Sequence, residues 1–118
     1  MNKIEWFELK NYIDKITKVI ISDGITNISD YCFNQCSNLC KVTMGDDVEI
    51  IGERAFHRSV YLQNAVIPRS VTKIGKDAFY SCPNLSGVAI PESVTEIESS
   101  AFYRCPSLEI IKIPESVN

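Results

Sequence analysis

Little in this chain belongs to the equipment of an enzyme, a nucleic-acid binder or a membrane-spanning protein. It holds one histidine and one tryptophan, and 12 basic residues are outnumbered by 15 acidic ones for a net charge of −3. A general nucleic-acid binder needs a strongly basic face, so this balance argues against one. No apolar run approaches the ~20 residues of a spanning helix, and membrane insertion is not expected. The opening segment, MNKIEWFELKNYIDKITK, lacks the uninterrupted apolar stretch and small-residue cleavage site of a secretory signal. As written, the chain is expected in the cytosol; a piece of a longer exported protein reads the same way and would belong at the cell surface or among secreted proteins. Five cysteines make an odd number, and with the absent signal this favours unbridged thiols over a disulfide framework.

What the chain has in quantity is repetition. The stretch Ala65–Gly87, AVIPRSVTKIGKDAFYSCPNLSG, recurs in pattern every 23 residues in both directions. Isoleucine or methionine stands at Ile21, Met44, Ile67, Ile90 and Ile113, and phenylalanine at Phe33, Phe56, Phe79 and Phe102. Branched residues recur at Ile25, Val48, Val71, Val94 and Val117, and at Ile28, Ile51, Ile74 and Ile97. Leucine recurs at Leu39, Leu62, Leu85 and Leu108, and alanine at Ala55, Ala78 and Ala101 with Cys32 in the same column. Uniform columns mark core. A period of this length denotes a unit that cannot bury its apolar face alone and stacks on its copies, so each unit is expected to form one coil of a solenoid.

Within each coil, the alternation at Val19/Ile21, Val42/Met44, Ala65/Ile67, Val88/Ile90 and Ile111/Ile113 predicts a half-buried strand, and the strands stack in parallel. A turn follows, around Asp-Gly, Asp-Asp or Pro-x-Ser, then a second extended piece such as Val71 to Ile74. One or two helical turns, as in Lys76 to Cys82, are predicted to carry the Ala-Phe pair inward until Pro83 or Pro106 stops them. Residues 1–118 are expected to form one domain: a capping segment at 1–18, with Trp6 and Phe7 over the open core, four full units at 19–110, and a partial fifth at 111–118.

The run I-P-x-S-V-T-x-I followed by A-F-x-x-C-x-x-L, from Ile67 to Leu85 and again from Ile90 to Leu108, resembles the BspA-like (Treponema pallidum-type) leucine-rich repeat. The earlier units depart from it with Ser22 and Gly45 in place of proline and Ser59 in place of cysteine, without insertions. The resemblance implies an α/β repeat solenoid, a right-handed superhelix with a parallel β-sheet on one face and short helical turns on the other. It also implies a surface protein engaged in adhesion and host-protein binding.

Few residues invite a chemical reading. Cys32, Cys36 and Cys40 sit four apart, but zinc needs four converging ligands, and Cys32 and Cys36 belong to core columns, so no metal is expected. His57 has no readable nucleophile or orienting partner, and its column follows the buried phenylalanines and should face solvent. No cofactor and no catalytic residues are expected. Cys82 and Cys105 fall in one column, where stacking brings them close enough to test for a bridge. Arg54, Arg58, Arg69, Lys73 and Lys76 form a run without acids, yet shifting by one period sets Arg69 between Asp46 and Glu92, Lys76 beside Glu53, Lys73 beside Glu96 and Arg54 beside Asp77. An inter-coil charge ladder is the favoured reading over a basic band for an acidic partner.

The outward strand columns are more informative. By alternation they contain Lys18, Lys41, Asn64, Gly87 and Ile110, and beside them Ile20, Thr43, Val66, Ala89 and Lys112. Core columns hold one residue type and these do not, as a recognition surface on a regular scaffold requires. The partner-binding candidates are therefore Lys18, Ile20, Lys41, Thr43, Asn64, Val66, Ala89, Ile110 and Lys112, in a non-enzymatic protein-binding module. An intracellular binder or inhibitor is the alternative, as is a self-assembling repeat with a homodimer through the C-terminal edge at Ile113.

Overall fold

The computed structural model describes residues 11–108 and 112–117, and the backbone of residues 3–4. The capping role expected of Trp6 and Phe7, and the placement of Ile110, lie outside the described residues. Nine strands appear in chain order: β1 Lys3–Ile4, β2 Lys18–Ile21, β3 Asn27–Ile28, β4 Lys41–Met44, β5 Ile50–Ile51, β6 Asn64–Val66, β7 Lys73–Ile74, β8 Gly87–Ala89 and β9 Glu96–Ile97. They form two parallel sheets, β2-β4-β6-β8 and β1-β3-β5-β7-β9. The second extended piece of each coil thus builds a sheet of its own. Asn27 lies opposite Ile50, and Ile50 opposite Lys73, in step with the sequence period. Lys3 lies opposite Asn27, so the first coil carries one residue more than the others.

The core sits between the sheets and is closed by a stack of rings. Phe33, Phe56, Phe79 and Phe102 follow one another with centroids 5.3, 5.2 and 5.3 Å apart and planes nearly parallel. That spacing is slightly wider than the ~4.8 Å between neighbouring strands, so identical rings in successive coils meet face to face. Ile21, Met44 and Ile67, Ile28, Ile51 and Ile74, Val48, Val71 and Val94, and Leu39, Leu62 and Leu85 are all buried around them. In the last coil, Phe102 and Leu108 are only half-buried.

The predicted helical turns are not there: among the described residues there is no helix. The backbone shows why. Tyr31, Phe33 and Gln35 donate their N–H groups to the carbonyls of Glu53, Ala55 and His57 in the next coil, at 2.8, 2.8 and 2.7 Å. The intervening N–H groups of Cys32, Asn34 and Cys36 close local turns on Ser29, Tyr31 and Phe33. The pattern repeats from Arg54, Phe56 and Arg58 to Lys76, Ala78 and Tyr80. A helix would send every one of these donors four residues back along its own chain. Left-handed residues enforce the alternative: Tyr31, Arg54, Asp77 and Ser100 have φ of 65°, 54°, 57° and 59°, and Gln35, Arg58, Ser81 and Arg104 have φ of 56°, 59°, 57° and 59°. Two such residues four apart cannot belong to a right-handed helix. The solenoid is therefore built of parallel sheets and hydrogen-bonded turns, without the α component of the expected α/β class.

Those left-handed side chains yield a test. A β-branched residue is strained at positive φ, while glycine adopts it freely. Among the described residues, Arg58 makes no side-chain hydrogen bond or ion pair, and it is exposed. Arg58→Gly is expected to hold or raise the unfolding midpoint and Arg58→Val to lower stability by about 1–2 kcal/mol, read by urea denaturation.

Candidate protein-interaction face

Strands β2, β4, β6 and β8 pack one side on the core and leave the other open. β4 shows it plainly: Val42 and Met44 are buried, Lys41 and Thr43 exposed. Lys18 pairs in register with Lys41, Lys41 with Asn64 and Asn64 with Gly87, while Ile20 pairs with Thr43, Thr43 with Val66 and Val66 with Ala89. Two straight columns result, one polar and one apolar. Every described candidate, Lys18, Ile20, Lys41, Thr43, Asn64, Val66, Ala89 and Lys112, is exposed, with Ile20 at 73% and Val66 at 69%. Parallel sheets are normally covered on both faces, so an open one bearing aliphatic side chains is a surface without its cover. At the ends of β4 and β6 it runs into a groove of about 580 Å³ lined by Met44, Asp46, Val66, Ile67, Pro68, Arg69 and Ser70. The groove was not legible in sequence, since it arises where a strand end and the following turn of two coils meet.

The turn side carries a second ladder. His57 stacks on Tyr80 at 5.0 Å, Tyr80 lies against Tyr103 at 5.6 Å, and His57 Nδ1 lies 2.9 Å from Asn34 Oδ1. This column was expected to face solvent; instead Asn34, His57 and Tyr80 are half-buried by stacking on one another. The planar groups recurring at one position were the available signal. Burial, then the charges of Arg54 and Arg58, hold the His57 imidazole below its ordinary value of 6.5. The contacts of His57 are the Tyr80 ring and the Asn34 amide, which pack the ladder.

The thiols also follow the coils. Cys82 Sγ–H donates to the Phe56 carbonyl at 3.2 Å, Cys105 to Phe79 at 3.0 Å, and Ser59 Oγ–H to Phe33 at 3.4 Å. Ser59 thus fills a cysteine column by making the same backward hydrogen bond. Burial pushes the Cys36 thiol up to about 11, offset in part by the Leu39 amide, and hydrogen bonding with Cys105 together with burial raises Cys82. No disulfide joins the five cysteines. No three His, Cys, Asp or Glu side chains converge among the described residues, and Cys40 points out to solvent while Cys32 and Cys36 are enclosed. In the native protein, Cys40 is expected to react first with an alkylating reagent and the enclosed thiols only on unfolding, with all five labelled in denaturant without reductant. Mass spectrometry counts the adducts.

The charge ladder is partial. Arg54 Nε meets Asp77 Oδ2 at 3.3 Å, and Lys73 Nζ lies 3.8 Å from Glu96 and 3.6 Å from Glu98. Among the described residues, Arg69 and Lys76 are exposed and make no ion pair.

Over residues 2–118 the sequence matches the BspA type leucine rich repeat region, in 6 copies. The chain belongs to the BspA-type leucine-rich repeat family. It is similar to the Treponema pallidum leucine rich repeat protein TpLRR, at 35% identity and a TM-score of 0.83, covering 86% of this chain and 47% of that one. A leucine rich cell surface protein from Faecalibacterium prausnitzii is similar at 32% identity and a TM-score of 0.78, covering 82% of this chain and 26% of that one. A leucine-rich repeat protein from Eubacterium ventriosum is 30% identical with a TM-score of 0.65, covering 92% of this chain and 34% of that one. The match therefore spans less than half the length of each of these three proteins. No curated protein matches the sequence. No helix among the described residues is long and apolar enough to cross a membrane.

Proposed function

We propose that this repeat array is a non-enzymatic protein-binding module that engages its partner through the open face of the β2-β4-β6-β8 sheet, as part of a surface protein concerned with adhesion or host-protein binding. The observation that carries the reading is the uncovered aliphatic column, with Ile20 and Val66 the most exposed large apolar side chains among the described residues. The F. prausnitzii relative, a leucine rich cell surface protein, supports the location. Ala89 and, by sequence, Lys112 continue that column, Lys18, Lys41 and Asn64 flank it, and Ile110 belongs by sequence to the flanking column. An array of immobilised extracellular-matrix and serum proteins tests the reading: binding that Val66→Lys and Thr43→Lys abolish, with folding retained, supports it, and binding indifferent to both sinks it.

A second reading is self-association through the last coil. Phe102, Leu108 and Val117 are half-buried where the corresponding residues of the middle coils are buried, and Ile113 is 50% exposed. A dimer by light scattering that Ile113→Glu dissolves would favour it, and a monomer at every concentration would remove it.

A further inference from the structure

We propose that the strand face accepts an extended protein segment whose acidic residues pair with Lys18 and Lys41 while adjoining apolar side chains cover Ile20, Thr43 and Val66. This rests on the strand-face reading above and adds the chemistry of the partner. Lys18 and Lys41 stand directly opposite each other on β2 and β4, on strands ~4.8 Å apart. Like charges facing one another across a sheet destabilise it. Elsewhere Arg54 is answered by Asp77, and Lys73 by Glu96 and Glu98, in the next coil. Both lysines are exposed, and among the described residues neither makes an ion pair. No carboxylate stands at any outward position of β2, β4, β6 or β8, although the chain as a whole carries a net charge of −3. Among the described residues the positive charge on this face is therefore local and unanswered.

Geometry narrows the form of the partner. The lysine column and the apolar column are parallel lines two residues apart along each strand, or ~7 Å. A segment laid across the strands sets one edge on each line, which calls for acids on one edge and aliphatic groups on the other. Exposed charge pairs of this kind act chiefly on specificity and rate of encounter, and they weaken with salt.

Random peptides displayed on phage, selected in parallel on the native chain, on the Lys18→Glu/Lys41→Glu double variant and on Val66→Lys, test the proposal. The native chain is expected to enrich Asp or Glu beside aliphatic residues, and the double variant to enrich Lys or Arg instead. Peptides selected on the native chain are expected to lose about tenfold or more in affinity for the double variant. Lys18→Gln/Lys41→Gln, which removes charge without reversing it, is expected to weaken the same peptides severalfold and guards against a folding defect. Enrichment of neutral or basic peptides on the native chain, or acidic peptides indifferent to both double variants, overturns the acidic partner. If such peptides still lose binding with Val66→Lys, the strand-face reading stands alone. Peptides that bind all variants alike, or no enrichment at all, overturn both.

Discussion

Phe79→Ala is expected to remove roughly 3–5 kcal/mol of folding stability, the usual cost of truncating a buried phenylalanine. Phe79 is fully enclosed and sits mid-stack, with Phe56 on one side and Phe102 on the other. Truncation leaves a cavity and breaks two ring contacts, each adding ~0.5–1.5 kcal/mol beyond area burial. Total stability of a domain this size is about 5–15 kcal/mol, so the variant stands near the threshold of unfolding. Tyr80→Ala is the control. From sequence alone Tyr80 reads as an exposed neighbour, but it stacks on His57 and lies against Tyr103, so a loss of about 1 kcal/mol is expected rather than none. Equal losses by urea denaturation would refute the assignment of the two columns.

Gly52→Ala and Gly75→Ala are expected each to cost about 1–3 kcal/mol, although alanine is among the smallest of changes. A Cβ at Gly52 would lie 2.6 Å from the Ile28 carbonyl oxygen and 2.7 Å from the Asp30 nitrogen; at Gly75 it would lie 2.7 Å from the Glu53 nitrogen. All are backbone atoms of the preceding coil, which cannot rotate aside as a side chain can. Ser29 and Glu98 occupy the same column in the first and fourth units. Gly24→Ala separates this effect from conformational strain, since its Cβ would meet nothing within 4 Å although φ is +93°. Stability losses at Gly52 and Gly75 no larger than the ~1 kcal/mol expected from positive φ at Gly24 would show that the coils are not in such close contact.

The stacking was legible because burial repeats with the coil: Phe33, Phe56, Phe79 and Phe102 could only be neighbours. The outward strand columns were legible by the same alternation, down to Ile20 and Val66. The helical turns were misread because Lys76 to Cys82 places its apolar residues at Ala78, Phe79 and Cys82, a spacing that also fits a helix. What decides the matter is the left-handed φ of Asp77 and Ser81, and neither is a glycine, the usual sign of such a position. The groove beside Val66 and the stacked ring column depend on how the ends of two coils abut, which periodicity does not encode. Arg69 and Lys76 show the limit of counting by one period: acids stand at the expected positions, yet among the described residues neither makes an ion pair, whereas Arg54, also on a turn, meets Asp77.

The turn-side hydrogen bonds set a rule about length. Each coil lends three N–H groups forward, from Tyr31, Phe33 and Gln35 to the second coil, from Arg54, Phe56 and Arg58 to the third, and from Asp77, Phe79 and Ser81 to the fourth. On the strand side the direction reverses, with Cys40 donating back to Thr17 and Gln63 back to Cys40. Every junction therefore presents the same interlocking set of donors and acceptors, so the array can grow or shrink by whole coils with its joints intact. A gain or loss of any other number of residues would slide all of these bonds out of step at once. The length of the open β2-β4-β6-β8 face can accordingly change by duplication or deletion of one unit, with no junction to redesign.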